Sequence, residues 1–172
     1  MEYELLIREA ESKDAAALVS FLNRVSVETD FTSLDRDGIL MTDTEMELFL
    51  DKQAHSENQI TLLALLNDEI AGLVNITADQ RQRVRHIGDL FIVIGKRYWN
   101  NGLGSLLLEE GIEWAQASGI LRRLQLTVQT RNQAAVHLYQ KHGFITEGRQ
   151  ERGAYIEEGK FIDVYLMGKL ID

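Results

Sequence analysis

The residues best suited to chemistry lie around Gly102. The run Asn100-Asn101-Gly102-Leu103-Gly104-Ser105 follows an apolar stretch, Leu90 to Ile94, and a polar turn, Gly95 to Asn101. It opens an apolar helical pattern that reaches Trp114. A helix start leaves about four backbone N–H groups unpaired and carries roughly half a positive charge. With glycine there, an anion can approach the backbone closely. The expected chemistry at Asn101 to Ser105 is therefore the seating of a phosphate-bearing ligand. The alternative is a packing turn that uses glycine only for closeness. The motif is not a Walker loop, because no Gly-Lys-Ser/Thr follows. The Rossmann Gly-x-Gly-x-x-Gly spacing is also absent, so ATP and NAD are poor candidates.

Composition narrows the chemistry further. The chain has 172 residues and no cysteine, which excludes thiol nucleophiles, disulfides and thiolate zinc sites. No metal is expected. Proline is absent too, so there is no rigid proline-rich linker. Apolar residues make up 45% and charged residues 26%, an ordinary globular composition. The length suits one domain over residues 1–172, able to bury roughly 70% of the surface its unfolded chain exposes. The net charge of −9 argues against nucleic acid as the main partner. It serves solubility, or else a field that favours a cationic substrate. No apolar run approaches about 18 residues, and the acidic start MEYELLIREA lacks a basic leader region. A cytoplasmic protein that does not enter the membrane is expected.

The elements that must position the glycine turn follow in order. Tyr3 and Leu5 to Ile7 read as a first strand ending near Arg8. Asp14 through Val27 reads as a helix with Ser12 as its cap, since Ala17, Leu18, Phe21, Leu22 and Val25 share a face at helical period. An acidic loop from Glu28 to Gly38 follows. A second helix, Thr44 to His55, is capped by Thr42 or Asp43. Ile60 to Leu66 and Ile70 to Thr77 form a hairpin through Asn67-Asp68-Glu69. Ala78 to Arg85 reads as an exposed loop or ragged strand end. His86 to Ile94 reads as a central strand covered on both faces. The glycine-led helix ends at Ser118-Gly119. Leu124 to Val128 alternates as a strand. Asn132 caps a helix that ends at Gly143, and strand Phe144-Ile145 follows at once. Gly148 to Gly159 is charged and punctuated by glycine, and Phe161 to Met167 is the last strand. The order β-α-α-β-β-β-α-β-α-β-β predicts an α/β fold: a mixed, twisted sheet of about seven strands flanked by about four helices.

Two motifs in this frame resemble one family. Asn100-Asn101-Gly102-Leu103-Gly104 after the strand LFIVI is similar to the Q/R-x-x-G-x-G/A motif of the GCN5-related N-acetyltransferases (GNAT). Asn132-x-x-Ala135-x-x-Leu138-Tyr139-x-x-x-Gly143-Phe144, one strand later, matches that family's second signature. The tail Gly153-Ala154-Tyr155 to Phe161-Ile162-Asp163-Val164 resembles the branch that acetylates small amines, amino acids or protein N-termini. There is one departure: the Q/R position of the first motif is Trp99, and Arg97 is out of register.

The resemblance implies acetyl-CoA as co-substrate and a primary amine as acceptor. Its diphosphate would sit on the N–H groups from Asn100 to Ser105, with Trp99 beside them and Gly102, Leu103 and Gly104 beneath. Its pantetheine amides would pair with Phe91, Ile92 and Val93 on the splayed central strand. An N–H near Val93 would stabilise the developing oxyanion. Asn132 would bond the cofactor or simply cap its helix. Tyr139 would protonate the leaving thiolate, a step of modest cost between a phenol of pKa near 10 and a thiol of about 8.5. The other reading of Tyr139 is a core aromatic. Asp89, Glu28, His86 or a water would take the amine's proton. Glu28, Asp30 and Tyr155 lie in segments that line the acceptor cleft in that family, and the two carboxylates would attract a cationic amine. Without cysteine, direct attack in a ternary complex is expected. A non-catalytic acyl-CoA-binding sensor is the alternative. Homodimers are common in the family.

Overall fold

The structure is a computed structural model that describes residues 4–172. Tyr3, read above into the first strand, lies outside the described residues. The expected element order is observed. A seven-stranded sheet in the order β1-β2-β3-β4-β5-β7-β6 is built from β1 (Leu5–Glu9), β2 (Ile60–Leu66), β3 (Glu69–Ala78), β4 (Ile87–Ile94), β5 (Arg123–Gln129), β6 (Ile145–Ile156) and β7 (Lys160–Leu170). The helices are α1 (Ala15–Glu28), α2 (Asp43–Ala54), α3 (Leu103–Ala117) and α4 (Gln133–Lys141). Only β4 and β5 run parallel. They are joined by α3, as a parallel pair requires a crossover of a dozen or more residues.

Each face of the sheet carries two helices. Phe21, Leu22 and Val25 of α1, with Met46 and Leu50 of α2, pack on Leu63, Leu65, Leu73 and Val93. Leu107, Leu108 and Ile112 of α3, with Tyr139 of α4, pack on the opposite face against Val74, Ile76, Leu90 and Leu124. Strand alternation explains the division: neighbouring residues of β4 face opposite layers, Leu90 to one and Val93 to the other.

Two local expectations change and one alternative is decided. Ser12 is not the cap of α1. Residues Ser12–Asp14 form a separate 3-10 turn capped by Glu11. Asp14 is drawn aside instead, accepting hydrogen bonds from Arg8 at 2.8 Å. That contact holds its carboxyl below the usual range. Thr42, rather than Asp43, caps α2, and its capping box is closed by Glu45. The charged stretch from Gly148 belongs to the long edge strand β6. Its register slips between Thr146 and Gly148 and again between Gln150 and Ala154. These bulges break the two-residue period that would have announced a strand.

Candidate active site

The continuous apolarity of β4 predicted full cover, yet Phe91, Ile92 and Ile94 are only half-buried. The reason is a splay in the sheet. β5 pairs with β4 only from Ile87 to Asp89, whereas β3 pairs with it from Gly88 to Ile94. Past Asp89 the two parallel strands separate around a cavity of about 640 Å³. The Gly95 N–H donates to the Ala71 carbonyl at 2.8 Å, and the β3–β4 register is unbroken from there. In an antiparallel ladder, N–H and C=O groups alternate sides. Phe91 and Val93 therefore spend their backbone groups on β3, and Ile92 and Ile94 turn theirs toward the cavity. The expected donor near Val93 is thus Ile92 or Ile94, not Val93 itself. The Trp99 indole N–H donates to the Ile94 carbonyl at 2.9 Å, which makes Trp99 part of the wall.

At one end of this cavity lies the start of α3. Its N-cap is Gly102 at φ +77°, a left-handed conformation that favours glycine. No side chain caps the helix, and its first turn holds no acidic residue. The first turn-closing bond runs from the Leu106 N–H to the Gly102 carbonyl, leaving the N–H groups of Leu103, Gly104 and Ser105 without helical acceptors. The two glycines serve different ends. A Cβ at Gly102 would meet nothing within 4 Å, while one at Gly104 would lie 3.3 Å from Leu138 Cδ2. The anion-site reading and the packing-turn reading thus each describe one glycine. Asn100 and Ser105 line the cavity. Asn101 does not: its amide straps the turn by donating to the Tyr98 and Trp99 carbonyls at 3.2 and 3.1 Å.

α4 supplies the facing wall. Asn132 accepts from the Ala135 N–H at 3.3 Å, so it caps the helix while also lining the cavity. Tyr139 lines it as well and is 7% exposed. Its ring stands edge-on to Phe144 at 5.8 Å. Burial pushes the phenol well above its ordinary range, because a buried phenolate loses its hydration. Tyr139 is therefore both a core aromatic and a protonated hydroxyl on the cavity wall.

The carboxylates are placed elsewhere. The Asp89 side chain is exposed and accepts from the Gln125 amide at 2.9 Å, outside the lining. Glu28 is the last residue of α1 and accepts from the Lys96 N–H at 3.1 Å. Asp30 is paired with Arg131, and its carbonyl accepts from Gln129 at 2.7 Å. Tyr155 is 64% exposed and packs against Phe161. The residues that line this end are their neighbours: Thr29, Phe31, Gln129 and Ala154. The segments were legible and the side chains were not. On β6, Ala154 and Tyr155 point to opposite faces by alternation. At the end of α1, Glu28 bonds the turn after β4, and Thr29 faces the cavity. His86 is also absent from the lining. Among the described residues, no group of three metal-ligating side chains is gathered, and no helix is long and apolar enough to cross a membrane.

With this geometry in hand, the chain compares as follows. A sequence profile of the acetyltransferase (GNAT) family matches residues 26–144. The crystal structure of a GNAT-family acetyltransferase from Streptococcus pneumoniae is 86% identical, with a TM-score of 0.96 over 98% of this chain and 100% of that one. The L-amino acid N-acetyltransferase AaaT of Escherichia coli K12 is 28% identical over 167 residues, 97% of this chain and 98% of that protein. A GNAT phosphinothricin acetyltransferase from Sinorhizobium meliloti, solved in complex with acetyl-CoA, is 17% identical. It shares the fold at a TM-score of 0.83 over 97% of this chain and 88% of its own.

Proposed function

The chain belongs to the acetyltransferase (GNAT) family, and on that premise we propose that it transfers the acetyl group of acetyl-CoA to the primary amine of a small molecule or an N-terminus, by direct attack in a ternary complex. The observation that carries this reading is the splay beyond Asp89. It gives one cavity an uncapped helix start at one end, free strand-edge groups along the middle and a protonated phenol on the wall.

The residues fit the group. The N–H groups of Leu103, Gly104 and Ser105 lack helical acceptors, no first-turn carboxylate repels an anion, and Gly102 leaves open space where a side chain would project. Those N–H groups would hold the diphosphate. Ile92 and Ile94 would pair with the amides of the pantetheine arm as a missing strand would. Acetyl-CoA supplies an acetyl group activated as a thioester. The part left to the chain is alignment, exclusion of water and custody of a proton. Burial keeps that proton on the Tyr139 hydroxyl and makes the phenol a weaker acid than an exposed one. The hydroxyl therefore offers a departing thiolate a hydrogen bond first, and full proton transfer costs more than the modest step expected from ordinary values. With Asp89, Glu28 and His86 outside the lining, the ammonium proton leaves through water.

The acceptor is read by elimination from a panel. Purified protein is given acetyl-CoA with polyamines, amino acids or peptides, and thiol release is followed. Turnover with at least one primary amine is expected. Cofactor binding with no turnover on any amine would instead mark a non-catalytic acyl-CoA sensor.

A further inference from the structure

α4 ends where α3 begins. Leu138 lies against Gly104, and the Ser105 hydroxyl is 2.8 Å from His142 Nε2. That seating brings the last turn of α4 beside the free N–H groups of α3. Two basic side chains of α4, His137 and Lys141, sit one helical turn apart, and both line this end of the cavity. Both residues are exposed. Among the described residues, neither enters an ion pair.

We propose that His137 and Lys141 form a second anion subsite, distinct from the main-chain cradle, that takes the 3′-phosphate of coenzyme A. The inference rests on the acetyl-CoA reading above. The cradle at Leu103 to Ser105 has N–H groups enough for one phosphate-bearing group. Coenzyme A brings another, a phosphomonoester with roughly −1.5 to −2 charges at pH 7. A chain of net charge −9 repels such a ligand unless cations stand where it arrives. The lysine ammonium is a compact point charge on a flexible stem, suited to a monoester whose position is set by the rest of the ligand. The imidazole offers an N–H in either protonation state. Lys141 also lies in the last turn of α4, where a cation complements the helix dipole. That role alone would not distinguish ligands that differ by one phosphate.

Titration calorimetry of the full chain with coenzyme A and with 3′-dephospho-coenzyme A separates these roles. The wild type is expected to prefer coenzyme A about tenfold. The Lys141→Gln/His137→Gln double variant, which alters exposed side chains only, is expected to bring the two affinities within about twofold. It does so by weakening coenzyme A while leaving the dephospho ligand unchanged. A wild type that binds both ligands equally, or a double variant that keeps the preference, overturns the subsite and leaves the acetyl-CoA reading standing. A wild type that binds neither ligand overturns both.

Discussion

On its β3 side, strand β4 is laddered from Gly88 to Ile94; on its β5 side the ladder stops after Asp89. One strand thus has a closed flank and an open one. The closed flank is where backbone groups are spent and where Val74 and Ile76 are wholly buried. On the open flank, Ile92 and the N–H of Ile94 keep backbone groups unspent beside a cavity, while the Ile94 carbonyl is held by the Trp99 indole. An unpaired strand edge is a template for another strand. Here the template is narrow, shielded by α4 and the loop after α1, and next to a helix start that favours anions. The difference teaches that this sheet binds its ligand by leaving out a piece of itself, and that stability and binding should separate by flank.

That separation can be broken. Ile76→Ala, on the closed flank, is expected to cost about 2–5 kcal/mol in chemical denaturation, with acetyl-CoA affinity retained in the folded protein. A folded variant with impaired binding would mean that the flanks are coupled. Gly104→Glu acts on the open side. It puts negative charge at the anion cradle and a Cβ 3.3 Å from Leu138. An approximately hundredfold loss of acetyl-CoA affinity is expected, with only a small shift in melting temperature. Wild-type affinity in calorimetry would move the diphosphate elsewhere.

Two weaker changes sharpen the chemistry of the open flank. Tyr139→Phe keeps the edge-on packing with Phe144 and removes only the hydroxyl. It is expected to lower kcat at least tenfold or so with cofactor affinity unchanged. Unchanged kcat would retire the phenol as the acid. The pH profile adds a sign. Because burial raises the folded-state value above the ordinary 10, the neutral phenol is favoured by folding. The associated stability is therefore present below pH 10 and is lost as pH rises beyond it. No loss of kcat assignable to this group is expected below pH 10. The smallest effect is expected from Asp89→Asn, within about twofold in kcat, since this carboxylate bonds Gln125 outside the cavity. A drop of a hundredfold would restore it as the base.

Much of this was legible in the residues, and the illegible parts share a cause. Helical and alternating periods disclosed the element order, and the two glycine-bearing motifs marked the cradle and the α4 wall. Local pattern carries no record of partners far along the chain. Arg131 holds Asp30 from 101 residues away, and the Lys96 N–H engages Glu28 across 68. These contacts give both acids partners of their own, and it is their neighbours Thr29 and Phe31 that line the cavity. β6 was hidden for another reason. Its polar composition suits a solvated edge, and its bulges reset the alternation. Gly153 lets the bulge lie on β7, where a Cβ would fall 2.3 Å from Val164 Cγ2. The splay itself is a property of two strands together, so neither strand announces it alone.

The central claim is that the free edge of β4 receives the arm of acetyl-CoA. Residue-resolved amide hydrogen exchange, with and without acetyl-CoA, tests it most directly. In the free protein, Phe91 and Val93 should already exchange slowly through their bonds to β3, and Ile92 and Ile94 should exchange faster. Adding acetyl-CoA should slow Ile92 and Ile94 selectively. Saturating binding that leaves these two amides unchanged would contradict the account.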